Sequence, residues 1–343
     1  MLEFEVIGRG HERGLAHGQR FSALIREHVA QYQLGSEWEG EKARVVTAIE
    51  TNLPEQAPDL YAEIEGIADG AGLPIRDILA LNYWIEVLQA TVGVGCSLIG
   101  FEGTAEGAIL GKNSDHDLAA VRYLAMQRVR PAAGSEGHTF VRGTFVGTTS
   151  TRAGLNSAGL ALCGAALIPT ETNWEGIPIM AVIDQILRHC ASVDEAIRMA
   201  EGLAPINYGA NLMVADRRGA LALIERLPHQ MAVRWPADGV LFNTNHPLAA
   251  ETAGHVREGT ELMESSRARF RKLEGLVTAV PRSSSGLRQV LTDHTEPGAI
   301  CQHGAGGWYT CASFLISPAA GTVVVADGSP CATEYKESGL ELP

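Results

Sequence analysis

The residues of this chain best suited to covalent chemistry gather around one cysteine. Gly93-Val94-Gly95-Cys96-Ser97 is followed, beyond a glycine-bearing turn, by Gly111-Lys112-Asn113-Ser114-Asp115-His116-Asp117. If the turn centres near Thr104 to Glu106, antiparallel pairing sets Cys96 across from Asn113 to Asp115. A thiol, a lysine and a carboxylate then meet at one strand end, a set suited to nucleophilic attack on a carbonyl. An isolated cysteine is ordinarily a small buried hydrophobe, so the neighbours carry the reading. Gly95 has no Cβ, and the peptide it shares with Cys96 can take strained geometry with an open carbonyl. A bond cut by its own following thiol needs that freedom.

The elements that must position these groups are legible from pattern. Gln19 to Leu34 carries Phe21, Leu24, Ile25, Val29 and Tyr32 at helical spacing. Asp59 to Ala71 is a second helix, stopped by Gly70-Ala71-Gly72-Leu73-Pro74, and Ile75 to Gln89 is a third. Beyond Val92 the pattern changes to hairpins: Cys96 to Phe101 with Ala108 to Lys112, Asn211 to Ala215 with Ala220 to Glu225, and Ser313 to Ser317 with Thr322 to Ala326. Helices are expected over Ile179 to His189, Val193 to Glu201 (opened by the capping box Ser192-x-x-Glu195), Ser266 to Leu276 and Ser284 to Leu291. Helical layers before, between and after antiparallel hairpins imply an α+β chain of covered sheets, folded as a single unit.

Composition narrows the function further. The 343 residues are 45% hydrophobic and 20% charged, which excludes disorder, and the net charge of −13 would repel a phosphate backbone, so no nucleic-acid partner is expected. The amino terminus has no secretory signal pattern, and the apolar stretch from Ile78 to Val94 is broken by Asn82, Glu86 and Gln89, too polar to span a bilayer. Cys96, Cys163, Cys190, Cys301, Cys311 and Cys331 form no C-x-x-C and are expected to be reduced thiols in a cytoplasmic protein.

Further pieces accompany the cysteine in a fixed order: Arg13-Gly14-x-x-His17-Gly18, then Glu63-Ile64-Glu65-Gly66-Ile67-Ala68-Asp69-Gly70-Ala71-Gly72, Gly111-x-Asn113-x-Asp115, Gly154-Leu155-Asn156-Ser157-Ala158-Gly159-Leu160, Thr244-Asn245-His246 and Ile300-Cys301-x-His303. Over nearly its whole length the chain resembles the acyl-coenzyme A:6-aminopenicillanic acid acyltransferase-like family of N-terminal-nucleophile hydrolases, related to choloylglycine hydrolases and penicillin V amidases. The resemblance implies a four-layer αββα sandwich with an N-terminal helical segment. It also implies a precursor cut between Gly95 and Cys96, whose α segment (1–95) and β segment (96–343) stay associated. Cys96 would then be the nucleophile and its freed amine the base, with Asp115 holding that amine and Asn245 donating to the oxyanion. Lys112, Asn113 and His246 would contact substrate. Ser114 and His116 stand where the family often has Trp, and Ala165-Ala166 where the choloylglycine branch has Asn, so only a backbone N–H could serve the oxyanion there.

Other chemistries are weaker. Asp115-His116-Asp117, His246, His255, His294 and Cys301-x-His303 lack zinc-finger or H-E-x-x-H spacing, so no metal and no cofactor is expected. A papain-like cysteine would open a helix, whereas Cys96 opens a strand. The expectation is an autoprocessed cysteine amidohydrolase or acyltransferase, working on a small-molecule N-acyl amide or acyl thioester through a Cys96 thioester. An acyl-coenzyme A-dependent N-acyltransferase is the alternative within that chemistry, and a non-catalytic small-molecule binding protein on the same scaffold is the alternative outside it.

Overall fold

The structure is a computed structural model that describes residues 1–32, 38–88, 95–203, 205–304 and 307–342. Phe4 and Val6 alternate inward along β1 (Leu2–Gly8), a strand the sequence reading missed. Helices follow: α1 (Gly10–Arg20), α2 (Ser22–Gln31), α3 (Gly40–Gln56), α4 (Pro58–Ala71), α5 (Ile75–Asn82) and α6 (Trp84–Leu88). The helix expected from Gln19 is interrupted at Phe21, and its last two residues lie outside those described. α4 ends where expected, on Gly72 in the left-handed region at φ 64°.

The glycine-rich Arg13-Gly14-x-x-His17-Gly18 segment is helical, against the usual cost of glycine in a helix. The cause is the approach of α4. A Cβ on Gly14 would stand 1.9 Å from the Glu63 carbonyl oxygen, and one on Gly66 would stand 2.3 Å from that of His11. The two glycine motifs are thus one close-packed helix pair.

The remaining elements are β2 (Gly95–Thr104), β3 (Gly107–His116), β4 (Leu124–Pro131), β5 (Phe140–Phe145), β6 (Ala153–Asn156), β7 (Leu160–Leu167), α7 (Ile179–His189), α8 (Val193–Gly202), β8 (Gly209–Asp216), β9 (Leu221–Arg226), β10 (Met231–Arg234), β11 (Val240–Asn243), α9 (Glu261–Leu276), α10 (Ser284–Leu291), β12 (Tyr309–Ser317), β13 (Thr322–Ala326) and β14 (Lys336–Glu337). The three expected hairpins are β2–β3, β8–β9 and β12–β13, each antiparallel. At α8, Ser192 Oγ accepts the Glu195 N–H, but Glu195 reaches back to the N–H of Ala191 rather than of Ser192.

Two sheets result, one ordered β1-β4-β5-β6-β7-β8-β9-β10 and the other β11-β2-β3-β12-β13-β14. Three apolar cores separate the layers. One, with Leu98, Leu110, Met126, Leu155 and Phe314, lies between the sheets. Another joins the eight-stranded sheet to the helices from α2 to α8, and the third joins the six-stranded sheet to α9 and α10. The fold is therefore a four-layer αββα sandwich. Among the described residues no helix is long and apolar enough to cross a membrane.

Candidate active site

The β2–β3 register is the one the turn implies. Cys96 pairs with Ser114 and Gly95 with Asp115. β11 flanks β2 on its other side, so Asn245, just past the end of β11, comes beside Cys96. β12 flanks β3 and pairs Thr310 with Asp115. Four neighbouring strands thus bring together groups that are up to 214 positions apart in sequence only because their ends align.

Asp115 is buried, and its Oδ1 accepts a 2.6 Å hydrogen bond from the Thr310 hydroxyl while its Oδ2 has no hydrogen-bond partner. Burial pushes this carboxyl up from the usual carboxylate range, against the pull of Arg269, the Thr310 hydroxyl and Lys112. The free Oδ2 lies over Gly95, where a Cβ would come within 2.7 Å of it. Glycine is needed there because the carboxylate occupies the space of a side chain.

The Cys96 N–H donates to Asn245 Oδ1 at 2.8 Å, and Asn245 Nδ2 donates to the Ala166 carbonyl at 3.0 Å, which leaves one N–H of that amide unused by this bond. Arg269, on α9 and wholly buried, completes the set. Its guanidinium donates to the Cys96 carbonyl oxygen, to Ser97 Oγ at 3.2 Å and to Asn245 Oδ1 at 3.0 Å. Arg269 is not among the site residues expected from the sequence. The available signal was a charge at 269 on the buried stripe Leu262, Ser266, Leu273 of a helix. Ser266, one turn earlier, accepts the Asn245 N–H at 2.8 Å, so α9 fixes the whole Asn245 loop.

Cys96 opens into a pocket of about 20 Å³, room for roughly one water. Its walls include Ile85 of α6, Met180 and Ile183 of α7, and Lys112, Ser114 and Arg152. Lys112 is buried and donates to the carbonyls of Arg152 and Gly164 at 2.7 and 2.6 Å. Arg152 is buried too, with Nε unpartnered and its guanidinium 4.6 Å from the Phe145 ring centre. Two cations against the single carboxyl Asp115 make a site that favours an anion, such as a thiolate or oxyanion.

Two expected contact residues lie elsewhere. Asn113 turns to the opposite sheet face from Lys112, by strand alternation, and its Nδ2 donates to the carbonyls of Leu291 and Ile300, both at 2.9 Å. His246 is absent from the pocket walls; its Nδ1 meets Ser266 Oγ at 2.7 Å, and burial among arginines lowers its pKa to about 4. Both are framework residues. His116 is likewise buried, its ring 4.8 Å from that of Trp84, and its Nδ1 lies 3.0 Å from Asp117 Oδ2. Among the described residues, His294, His303 and Cys331 have ligand atoms close enough together for a metal, and they do not line the pocket.

Among solved structures the chain is similar to an N-acylethanolamine-hydrolyzing acid amidase ortholog from Caenorhabditis elegans, at 16% identity over 65% of this chain and 93% of that one, with a TM-score of 0.47. It is similar to a penicillin V acylase from Agrobacterium tumefaciens at 17% identity, over 71% and 85% of the two chains, with a TM-score of 0.47. A variant of a conjugated bile acid hydrolase from Clostridium perfringens matches at 13% identity, over 72% and 98%, with a TM-score of 0.45. The family model described as acyl-coenzyme A:6-aminopenicillanic acid acyl-transferase matches residues 103–331, a span that begins after Cys96 and includes Asp115, Asn245 and Arg269. With that match over most of its length, the chain belongs to the acyl-coenzyme A:6-aminopenicillanic acid acyl-transferase family.

Proposed function

We propose that the chain is a precursor that cuts its own Gly95–Cys96 bond and matures into a cysteine amidohydrolase or acyltransferase for linear N-acyl amides. The supporting observation is the setting of that bond: Asp115 lies against Gly95, while Asn245 and Arg269 hold the nitrogen and carbonyl of Cys96. In maturation the Cys96 sulfur attacks the Gly95 carbonyl, and the C–N bond breaks as the nitrogen takes up a proton. Water then hydrolyses the thioester, restoring the thiol and leaving the new amine and a Gly95 carboxylate.

The new α-amine has an ordinary pKa of about 7.7–8.0, close to that of a thiol at about 8.5, and serves as the base without a histidine. An ionised Asp115 raises that amine's pKa, whereas Arg269 and Arg152 lower it. Asn245 Oδ1, already on this nitrogen, orients it. In turnover the amine takes the thiol proton, the sulfur attacks the acyl carbonyl, and the amine of the substrate leaves with the proton. Lys112 and Arg152 favour the thiolate, and the unused N–H of Asn245 Nδ2 serves the oxyanion. Water or an acceptor amine then takes the acyl group from sulfur, so hydrolysis and transfer share this first half. The free state of all six cysteines suits a reducing cytoplasm.

Denaturing mass spectrometry of freshly purified protein tests the reading. Fragments 1–95 and 96–343 are expected from the native sequence and a whole chain from Cys96→Ala. Single-turnover reaction with an N-acyl amide should add the acyl mass to the fragment that begins at Cys96. Cleavage persisting in Cys96→Ala would mean an outside protease, and a whole chain that forms no acyl adduct would make the protein a binding scaffold.

A further inference from the structure

Away from the Cys96 pocket, four side chains from three separate stretches converge. His294 follows α10, Cys301 and His303 lie before β12, and Cys331 follows β13. Cys301 Sγ stands 3.6 Å from Cys331 Sγ and 3.5 Å from His303 Nε2, and His303 Nε2 stands 3.1 Å from Cys331 Sγ. A tetrahedral zinc with Zn–S of about 2.3 Å and Zn–N of about 2.0–2.1 Å separates its ligand atoms by roughly 3.3–3.8 Å. The triangle of donors already has nearly those edges.

His294 stands beside the His303–Cys331 edge of that triangle. Its ligand atom is within 4.8 Å of those of His303 and Cys331, and its ring centre is 5.6 Å from that of His303. Its Nδ1 lies 3.2 Å from the Thr292 carbonyl oxygen, an acceptor that fixes the proton on Nδ1 and leaves Nε2 as a lone pair. We propose that Cys301, His303, Cys331 and His294 form a structural zinc site. Two thiolates and two neutral imidazoles balance a divalent ion, and closed four-ligand sets of this kind stabilise folds rather than catalyse. This revises the expectation of no metal. Spacing along the chain conceals the set because its members come from separate loops.

The site has a mechanical connection to the cysteine. Between two of its ligands, the Gln302 N–H donates to Thr310 Oγ1 at 2.8 Å, and the Thr310 hydroxyl donates in turn to Asp115. The Thr310 N–H returns to the Gln302 carbonyl at 3.0 Å. Metal at 301 and 303 would therefore fasten the strand that holds Asp115.

The test uses Cys96→Ala protein, so that the active-site thiol cannot bind metal, purified with reductant and without chelator. About one zinc per chain is expected by plasma mass spectrometry. Cobalt exchanged for it should show tetrahedral d–d bands and a thiolate-to-cobalt charge-transfer band. Adding Cys331→Ser or His303→Ala, both at solvent-reachable positions, should weaken metal retention at least about tenfold while circular dichroism stays unchanged. A reduced, folded protein that takes up neither zinc nor cobalt would overturn the proposal. So would Cys301–Cys331 recovered as a disulfide after anaerobic alkylation, or undiminished metal in both variants.

Discussion

Replacing Arg269 by Met keeps most of the side-chain volume and removes a charge shared by Cys96, Ser97 and Asn245. Asn245 Oδ1 and the Cys96 carbonyl each lose a donor, a change of the kind that costs on the order of a hundredfold in rate at an oxyanion site. Asp115 also loses the cation that holds its pKa down, so its carboxyl moves further up and any step needing it ionised shifts to higher pH. Intact-mass time courses of newly synthesised Arg269→Met across a pH series should show slow maturation with its profile displaced upward, and Arg269→Lys should recover part of the rate. Maturation at the native rate would reduce Arg269 to a support for the fold. At this scale Cys96 and Asp115 were legible because one hairpin joins them. Arg269 was not, because nothing local relates position 269 to position 96. Asn113 was misplaced because a motif gives neighbours without saying which sheet face each one takes.

The short helix α6 carries a carboxyl that its surroundings keep neutral. Glu86 is buried, its Oε1 has no hydrogen-bond partner, and burial raises its pKa to about 8. An unfolded glutamate titrates near 4.3, so as pH rises the unfolded chain loses this proton first. The neutral group's contribution is complete below that value and is lost as pH rises toward 8, roughly 3–5 kcal/mol over the window. Urea midpoints of the native protein should therefore fall between pH 5 and pH 8 more than those of Glu86→Gln, which has no such proton to lose. Parallel curves for the two would remove Glu86 as the cause. Among the elements, α7, α10 and β13 were readable to the residue because periodicity and turn chemistry agree there, whereas β12 begins at Tyr309, four residues before the expected Ser313. α1 escaped because its glycines resemble a turn in isolation, and only the approach of α4 explains them. The Gly154 to Leu160 motif spans the end of β6 and its turn into β7: Gly159 has φ 84°, and Asn156 Nδ2 clamps the carbonyls of Leu187 and Cys190 at the end of α7.

The contacts that fasten the molecule across the proposed cut include a strand pairing and a set of buried charges. β1 pairs in parallel with β4 inside the eight-stranded sheet. Behind it runs a buried ionic chain. Arg13 meets Glu63 at 2.9 Å, Glu63 meets Arg142 at 3.0 Å, Arg142 meets Asp184 at 3.3 Å and Asp184 meets Arg188 at 3.1 Å. Arg13 and Glu63 belong to the 1–95 segment and the rest to 96–343. Separating the segments would break these buried pairs and expose the apolar core that the helices share with the eight-stranded sheet, which is strongly unfavourable. Cut chains should thus stay together, but their unfolding becomes a dissociation subject to mass action. Tenfold dilution should lower the melting temperature of matured protein by roughly 1–3 °C and leave that of Cys96→Ala unchanged. Equal insensitivity in both would mean that the segments do not separate on melting. The αββα plan was foreseen through resemblance; the sequence pattern alone supplied covered sheets, since layer order depends on strand pairings between distant segments.

Ile85, a wall of the cysteine pocket, precedes the proposed cut, and Cys96 follows it. In the matured protein one wall of the pocket would therefore be encoded on a different polypeptide from the nucleophile. Substrate choice could then be altered combinatorially, by pairing one nucleophile-bearing chain with a collection of partner chains that differ at position 85, with the reacting groups left untouched.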